Sequence, residues 1–321
     1  MRAFSVASLG LTTMLALSVV GCSRLGQLKA MSNYKEANKA YQQQDYRRAA
    51  ELYEIAIKDN PDLGVAYFFL GNSYDNQYKP SRKGDAANDG LLGKAVQHYQ
   101  AAAEKLAAST SPDDKKIGKL SLDYLVAAYG PDKLNDPAKA EPVVQRMIQI
   151  EPSEPTNYFA LAKIYEDAGV YDEAEQMFLY AKTAKPMDPA VYLQLAGYYN
   201  RQGRFDKTIE ALEQRAAIET KNPEAFQTIA GYYWDETRGD PSLTEAQKRD
   251  YVQKGLESVD KAISLRADYV EAITFKGLLL RLQANLEKDP GKQQALLKEA
   301  IALGDKANTL KKQKTAGATS N

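Results

Sequence analysis

The sequence predicts an all-α fold, a solenoid of about seven stacked helix pairs over residues 30–310. Three observations carry this. Small and apolar residues recur in register every 34 residues, they fall at helical spacing within each unit, and Pro and Gly punctuate the units where helices start and turn. The clearest unit is Pro155–Pro186. Its first helix carries Tyr158, Leu161-Ala162 and Tyr165; Gly169 marks the turn; Tyr171, Ala174, Phe178 and Ala181 line the second helix. Shifted by 34 residues, the columns persist as Tyr158/Tyr192/Phe226, Leu161/Leu195/Ile229, Ala162/Ala196/Ala230 and Tyr165/Tyr199/Tyr233. The small column lets two antiparallel helices approach closely. The aromatic and leucine columns fill the groove of the next pair.

These residues resemble the tetratricopeptide repeat (TPR), in which an aromatic, a Leu-Gly pair, a Tyr, a turn Gly, an Ala-Phe-Ala series and a closing Pro occupy the same places. The resemblance implies a right-handed TPR superhelix, an α-solenoid. No helix pair can bury its apolar face alone, so stacking supplies the core.

Taken in order, residues 1–22 read as a secretory signal. Arg2 gives a charged start, and Leu9–Val20 is an apolar run of about a dozen residues, too short for the roughly 20 that span a bilayer. The sequence Val19-Val20-Gly21-Cys22 resembles a bacterial lipobox, which implies acylation of Cys22 and cleavage before it. More than one acyl chain gives stable anchoring. Ser23 after the cysteine, in place of Asp, favours the outer membrane under the enteric sorting rule. Residues 23–29 form a polar tether that reaches at most about 25 Å.

The repeats then run near 30–63, 64–110, 117–152, 155–186, 189–220, 223–267 and 270–310. The first shows Ala37, Asp45-Tyr46, Ala49, Tyr53 and Ala56; the second shows Tyr67, Leu70-Gly71 and Tyr74 and resumes at Ala95, Tyr99 and Ala102. The third is weaker. Asp136-Pro137 reads as its cap and first helical position, and Pro142 close behind predicts a late start or a kink. Two insertions fall in turns within a pair. Residues 75–92 read as a mobile loop. Residues 235–250 carry Ser242-Leu-Thr-Glu245, a capping-box pattern that predicts a second helix extended backwards. The tail 311–321 is polar and reads as disordered.

Composition removes several function classes. The 321 residues hold 42 basic and 42 acidic side chains, and the leader takes away only Arg2. That balance argues against a nucleic-acid partner, which needs a basic face. With one cysteine, Cys22, and one histidine, His98, neither a disulfide nor a Cys/His metal site assembles. His98 reads as a surface or satisfied helix histidine. No P-loop or GxGxxG is present. The expectation is therefore no enzyme, no catalytic residue, no metal and no cofactor.

In TPR proteins the first helices line a concave groove. Carried over position by position, the groove residues are Tyr34, Asn38 and Tyr41 in the first repeat and Phe68 and Asn72 in the second. The fourth supplies Phe159, Lys163 and Glu166, the fifth Leu193, Asn200 and Arg201, and the sixth Gln227, Trp234 and Asp235. Phe68, Phe159 and Trp234 stand out as large side chains off the core stripe, the kind that anchor partners. A carboxylate clamp of the chaperone-tail type is not expected: Asn38 matches it, but Tyr34 and Phe69 stand where Lys and Asn are required. The reading is a non-enzymatic protein–protein interaction scaffold, a lipid-anchored envelope adaptor on the periplasmic face of the outer membrane. It would bind a peptide or helix of another envelope protein in the groove. A glycan- or peptidoglycan-binding lipoprotein is the alternative.

Overall fold

A computed structural model describes the backbone of residues 9–318 and the side chains of residues 26–315. Among the described residues there are fourteen α-helices and no β-strand. They form two compact units that divide between Pro152 and Ser153.

The N-terminal unit holds three antiparallel pairs: α1 (Leu9–Gln42) with α2 (Tyr46–Asp59), α3 (Gly64–Gln77) with α4 (Ala86–Ala107), and α5 (Pro112–Tyr129) with α6 (Pro137–Ile150). Asp45 caps α2 through the Arg48 amide, at 3.1 Å. The small column does the work expected of it at Gly71. A Cβ there would lie 2.9 Å from the Tyr99 ring and 3.0 Å from the Ala95 carbonyl, so α3 and α4 meet only because Gly71 has no side chain.

Several expectations are corrected in this unit. The tether 23–29 lies inside α1, which runs on continuously into the first repeat. The signal segment before Leu9 and the side chain of Cys22 lie outside the described residues. The insertion 75–92 is not a loose loop. A 3₁₀ turn at Pro80–Arg82 leads into α4, whose first residues belong to that insertion. The reason is Asn88, which is buried. It accepts from the Lys79 amide at 2.9 Å and donates to the carbonyls of Lys79 at 3.1 Å and Arg82 at 3.2 Å. Pro142 does not delay α6, which begins at Pro137 behind the Asp136 cap. Ala138 and Pro142 are both exposed, so the hydrogen bond that Pro142 forfeits lies at the surface.

The C-terminal unit holds four pairs: α7 (Pro155–Asp167) with α8 (Tyr171–Ala184), α9 (Pro189–Arg201) with α10 (Phe205–Ile218), α11 (Pro223–Gly239) with α12 (Glu245–Leu265), and α13 (Val270–Leu286) with α14 (Pro290–Ala318). The starts of α7, α9 and α11 repeat one device. Glu154, Asp188 and Asn222 each cap through the amide two residues on, with Pro at the first helical position. Gly169 (φ 76°) and Gly203 (φ 66°) supply the left-handed turns between helices. Leu161, Leu195 and Ile229 are all buried, and Leu195 and Ile229 share one core cluster with Phe178, Tyr198 and Leu212.

The α12 cap is two residues later than expected. Thr244 accepts from the Gln247 amide at 3.3 Å, and the Gln247 side chain accepts from the Thr244 amide at 2.9 Å. Ser242 sits in the preceding turn, its amide bonded to Asp240 at 2.8 Å. The tail is corrected as well: α14 continues to Ala318. Ala300, Leu303, Ala307 and Leu310 form one apolar stripe that is buried or half-buried and stops short of it; residues 311–315 are exposed, and 319–321 lie outside the described residues.

Candidate functional site

On the first helices of the C-terminal unit, the core stripe takes the Leu and Tyr columns and leaves the intervening positions facing outward. Lys163, Leu193, Asn200, Arg201 and Asp235 are exposed; Phe159, Glu166, Gln227 and Trp234 are half-buried. Phe159 rests against Phe178, with ring centres 5.8 Å apart. Lys163 pairs with Asp167 on its own helix. Arg201 and Glu166 join α9 to α7 through two parallel hydrogen bonds, from Nε at 2.7 Å and Nη2 at 2.9 Å. This bidentate form holds the guanidinium flat on the surface.

Trp234 meets Phe275 of α13 edge to face at 5.8 Å, and the Arg238 guanidinium lies 4.3 Å over the Trp234 ring. The sequence reading missed Phe275 and Arg238. Gly197 and Gly231 stand inside helices in the near-copies LAGYY and IAGYY. A Cβ at 197 would lie 3.4 Å from Arg201, and one at 231 would lie 3.5 Å from Phe275. Both are ordinary contact distances, so these glycines do not by themselves mark the side chains that cross the first-helix face.

The N-terminal unit departs from expectation. Phe68 and Asn72, expected in the groove, are both only 3% exposed. Phe68 packs edge-on against Tyr124 of α5 at 5.4 Å and against Tyr99 at 5.9 Å. The physical reason is that α3 lies between neighbours, so α5 covers its forward face. Asn72 accepts from the Tyr41 hydroxyl at 2.5 Å and donates to the Tyr99 hydroxyl at 3.4 Å. Tyr99 passes the chain on to Asp75 at 3.2 Å, and Lys133 clasps Asp75 at 2.5 and 2.7 Å. Burial, and then the Asp75 charge, push the Tyr99 hydroxyl well above the ordinary tyrosine range, so it stays a neutral donor. Tyr34, Asn38 and Tyr41 are half-buried. The Asn38 amide oxygen accepts from Tyr53 at 2.6 Å, and Tyr34 lies 5.9 Å from the Tyr53 ring. These groups serve the core as much as the surface.

His98 is half-buried and stacks on Tyr74 at 5.9 Å. Burial lowers its pKa below the ordinary value, with Glu54 partly offsetting the effect. Among the described residues no group of three or more His, Cys, Asp or Glu is arranged to hold a metal ion. Among the same residues no helix is long and apolar enough to cross a membrane.

The helix pairs define an α-helical repeat protein whose first helices present an outward face. One solved structure shows which fold this is. The C-terminal part of a TPR repeat-containing protein from Cytophaga hutchinsonii superposes with a TM-score of 0.55 at 14% identity, covering 86% of this chain and 98% of that chain. A tetratricopeptide repeat protein from Parabacteroides merdae is similar at TM-score 0.44 and 14% identity, over 85% of this chain and 99% of its own. MamA is similar at TM-score 0.40 and 18% identity, over 65% and 99%. No protein-family model and no curated protein matches the sequence. The fold is that of the tetratricopeptide-repeat α-solenoids.

Proposed function

We propose that this protein is a non-enzymatic protein–protein interaction scaffold that holds a peptide or helix of another envelope protein on its first-helix face. The observation that carries the reading is the platform on the C-terminal unit, where half-buried Trp234 and Phe275 meet edge to face with the Arg238 guanidinium over the Trp234 ring, while Leu193 and the Glu166-bound Arg201 are exposed on α9. Half-exposed aromatics next to a fixed guanidinium are the residue types that dominate protein interfaces. The Val19-Val20-Gly21-Cys22 sequence supports lipid anchoring through Cys22, and Ser23 supports the periplasmic face of the outer membrane. Arg238 lies over one face of Trp234, where a sugar ring would stack. That favours a protein partner over a glycan.

The test is in-cell photocrosslinking from Phe159 and Trp234, each replaced by a photoreactive residue, with Cys22 intact. Capture of one and the same envelope protein from both positions is the expected result. Retention on purified cell wall with no protein captured overturns it in favour of a glycan-binding lipoprotein.

A further inference from the structure

The pair α5–α6 is less completely packed than the first repeat. α6 buries only Ala140 and Val144. α2, with the same 14 residues, buries Ala49, Ala50, Leu52, Tyr53 and Ala56. The apolar surface that α6 leaves uncovered forms a cleft of two lobes between α6 and the α4–α5 pair. The larger lobe, about 400 Å³, has Leu106, Leu122 and Ile150 among its walls, with Lys115, Lys119 and Arg146 also lining it. The second lobe, about 340 Å³, shares Ala103, Leu122 and Arg146 with the first and reaches Leu125 and Tyr129.

The charge lining this cleft has one sign. Among the described residues, no Asp or Glu lines either lobe. Lys119 is held by Glu151, Arg146 donates to the Ala103 carbonyl at 3.5 Å, and Lys115 has no ion-pair partner among the described residues. Long cationic side chains lay their methylene stems along apolar walls and keep their heads in water. The lobes fall at the lower end of the volumes that hold small ligands. A 400 Å³ space holds no more than about one turn of a helix roughly 10 Å across with its side chains, so a partner helix does not lodge in it.

We propose that this cleft binds a single-chain anionic amphiphile, with one acyl chain in the apolar lobes and a carboxylate or phosphate head between Lys115 and Arg146. The site is separate from the first-helix face of the C-terminal unit, and its failure would leave the scaffold reading untouched.

The test titrates the full chain calorimetrically with straight-chain fatty acids from octanoate to palmitate, kept below micelle formation. Alcohols of matched length and dodecyl phosphate run beside them. Affinity for the acids rises roughly fourfold per added methylene until the lobes are full. The alcohols bind more weakly at every length, and the ratio of dodecanoate to dodecyl phosphate assigns the head. The double variant Lys115→Met/Arg146→Met weakens the acids about tenfold or more and leaves the alcohols unchanged. Ala107→Trp, at an exposed position lining the larger lobe, weakens acids and alcohols together and is expected to fold normally. The proposal is overturned if binding is absent, if affinity ignores chain length, or if Ala107→Trp leaves acid binding unchanged.

Discussion

Glu175 on α8 accepts hydrogen bonds from Tyr199 at 3.0 Å and Lys207 at 2.9 Å and pairs with Arg204. Burial pushes its carboxyl up, but the hydrogen bonds from Arg204, Lys207 and Tyr199 outweigh this and hold it at about 2, against an ordinary 4.5. The folded value is the depressed one, so Glu175 contributes stability that is fully present above pH 4.5 and lost as pH falls toward 2. The urea midpoint of the wild type should therefore exceed that of Glu175→Gln near neutral pH, and the gap should close as pH is lowered through that window. A gap independent of pH would show that the carboxylate charge is not what matters. None of this was legible in the sequence, because Glu175, Tyr199 and Arg204 are drawn together from three elements. The same holds for Phe68 and Asn72. Their positions between the core columns were visible, but burial was decided by neighbours: Tyr124 of α5 packs on Phe68, and Tyr41 and Tyr99 close on Asn72.

At the scale of the element, local signals carried most of the information. Asp136-Pro137 and the Pro at the starts of α7, α9 and α11 mark helix starts that depend only on the backbone amides nearby. The α12 cap is a case where two overlapping patterns competed. Thr244 with Gln247 won over Ser242 with Glu245. Ser242 is already engaged, its amide turned toward Asp240. Thr244→Ala should cost about 1 kcal/mol in chemical denaturation, whereas Ser242→Ala should cost a few tenths at most. Equal effects would return the cap to Ser242. The insertion 75–92 and the tail are where composition misled. Gly, Lys, Asp and Asn suggested a loop, yet buried Asn88 satisfies two carbonyls and one amide there. The polar tail likewise continues the helix that Ala307 and Leu310 anchor one turn earlier, with its own described side chains exposed.

For the whole molecule, stability in a repeat array is a sum of local and nearest-neighbour terms, so distant parts need not unfold together. The two compact units each have their own buried core. Trp234 is the only tryptophan and lies in the C-terminal unit. Its fluorescence should report that unit alone, while far-ultraviolet circular dichroism reports all fourteen helices. The two urea transitions should not coincide. Superimposable transitions would show one cooperative block.

Read alone, the amino-acid order determined the class of fold, the 34-residue register and the residues of each core column. These follow from helical spacing and from backbone chemistry a few residues away, which act within one repeat. Tertiary structure alone decided which intervening positions stay open. Trp234 stays half-exposed against Phe275, Phe68 disappears beneath Tyr124, and α6 leaves a cleft unfilled. The physical reason is that burial is set by whichever neighbour packs across a helix, and a 34-residue pattern is silent about how closely that neighbour comes.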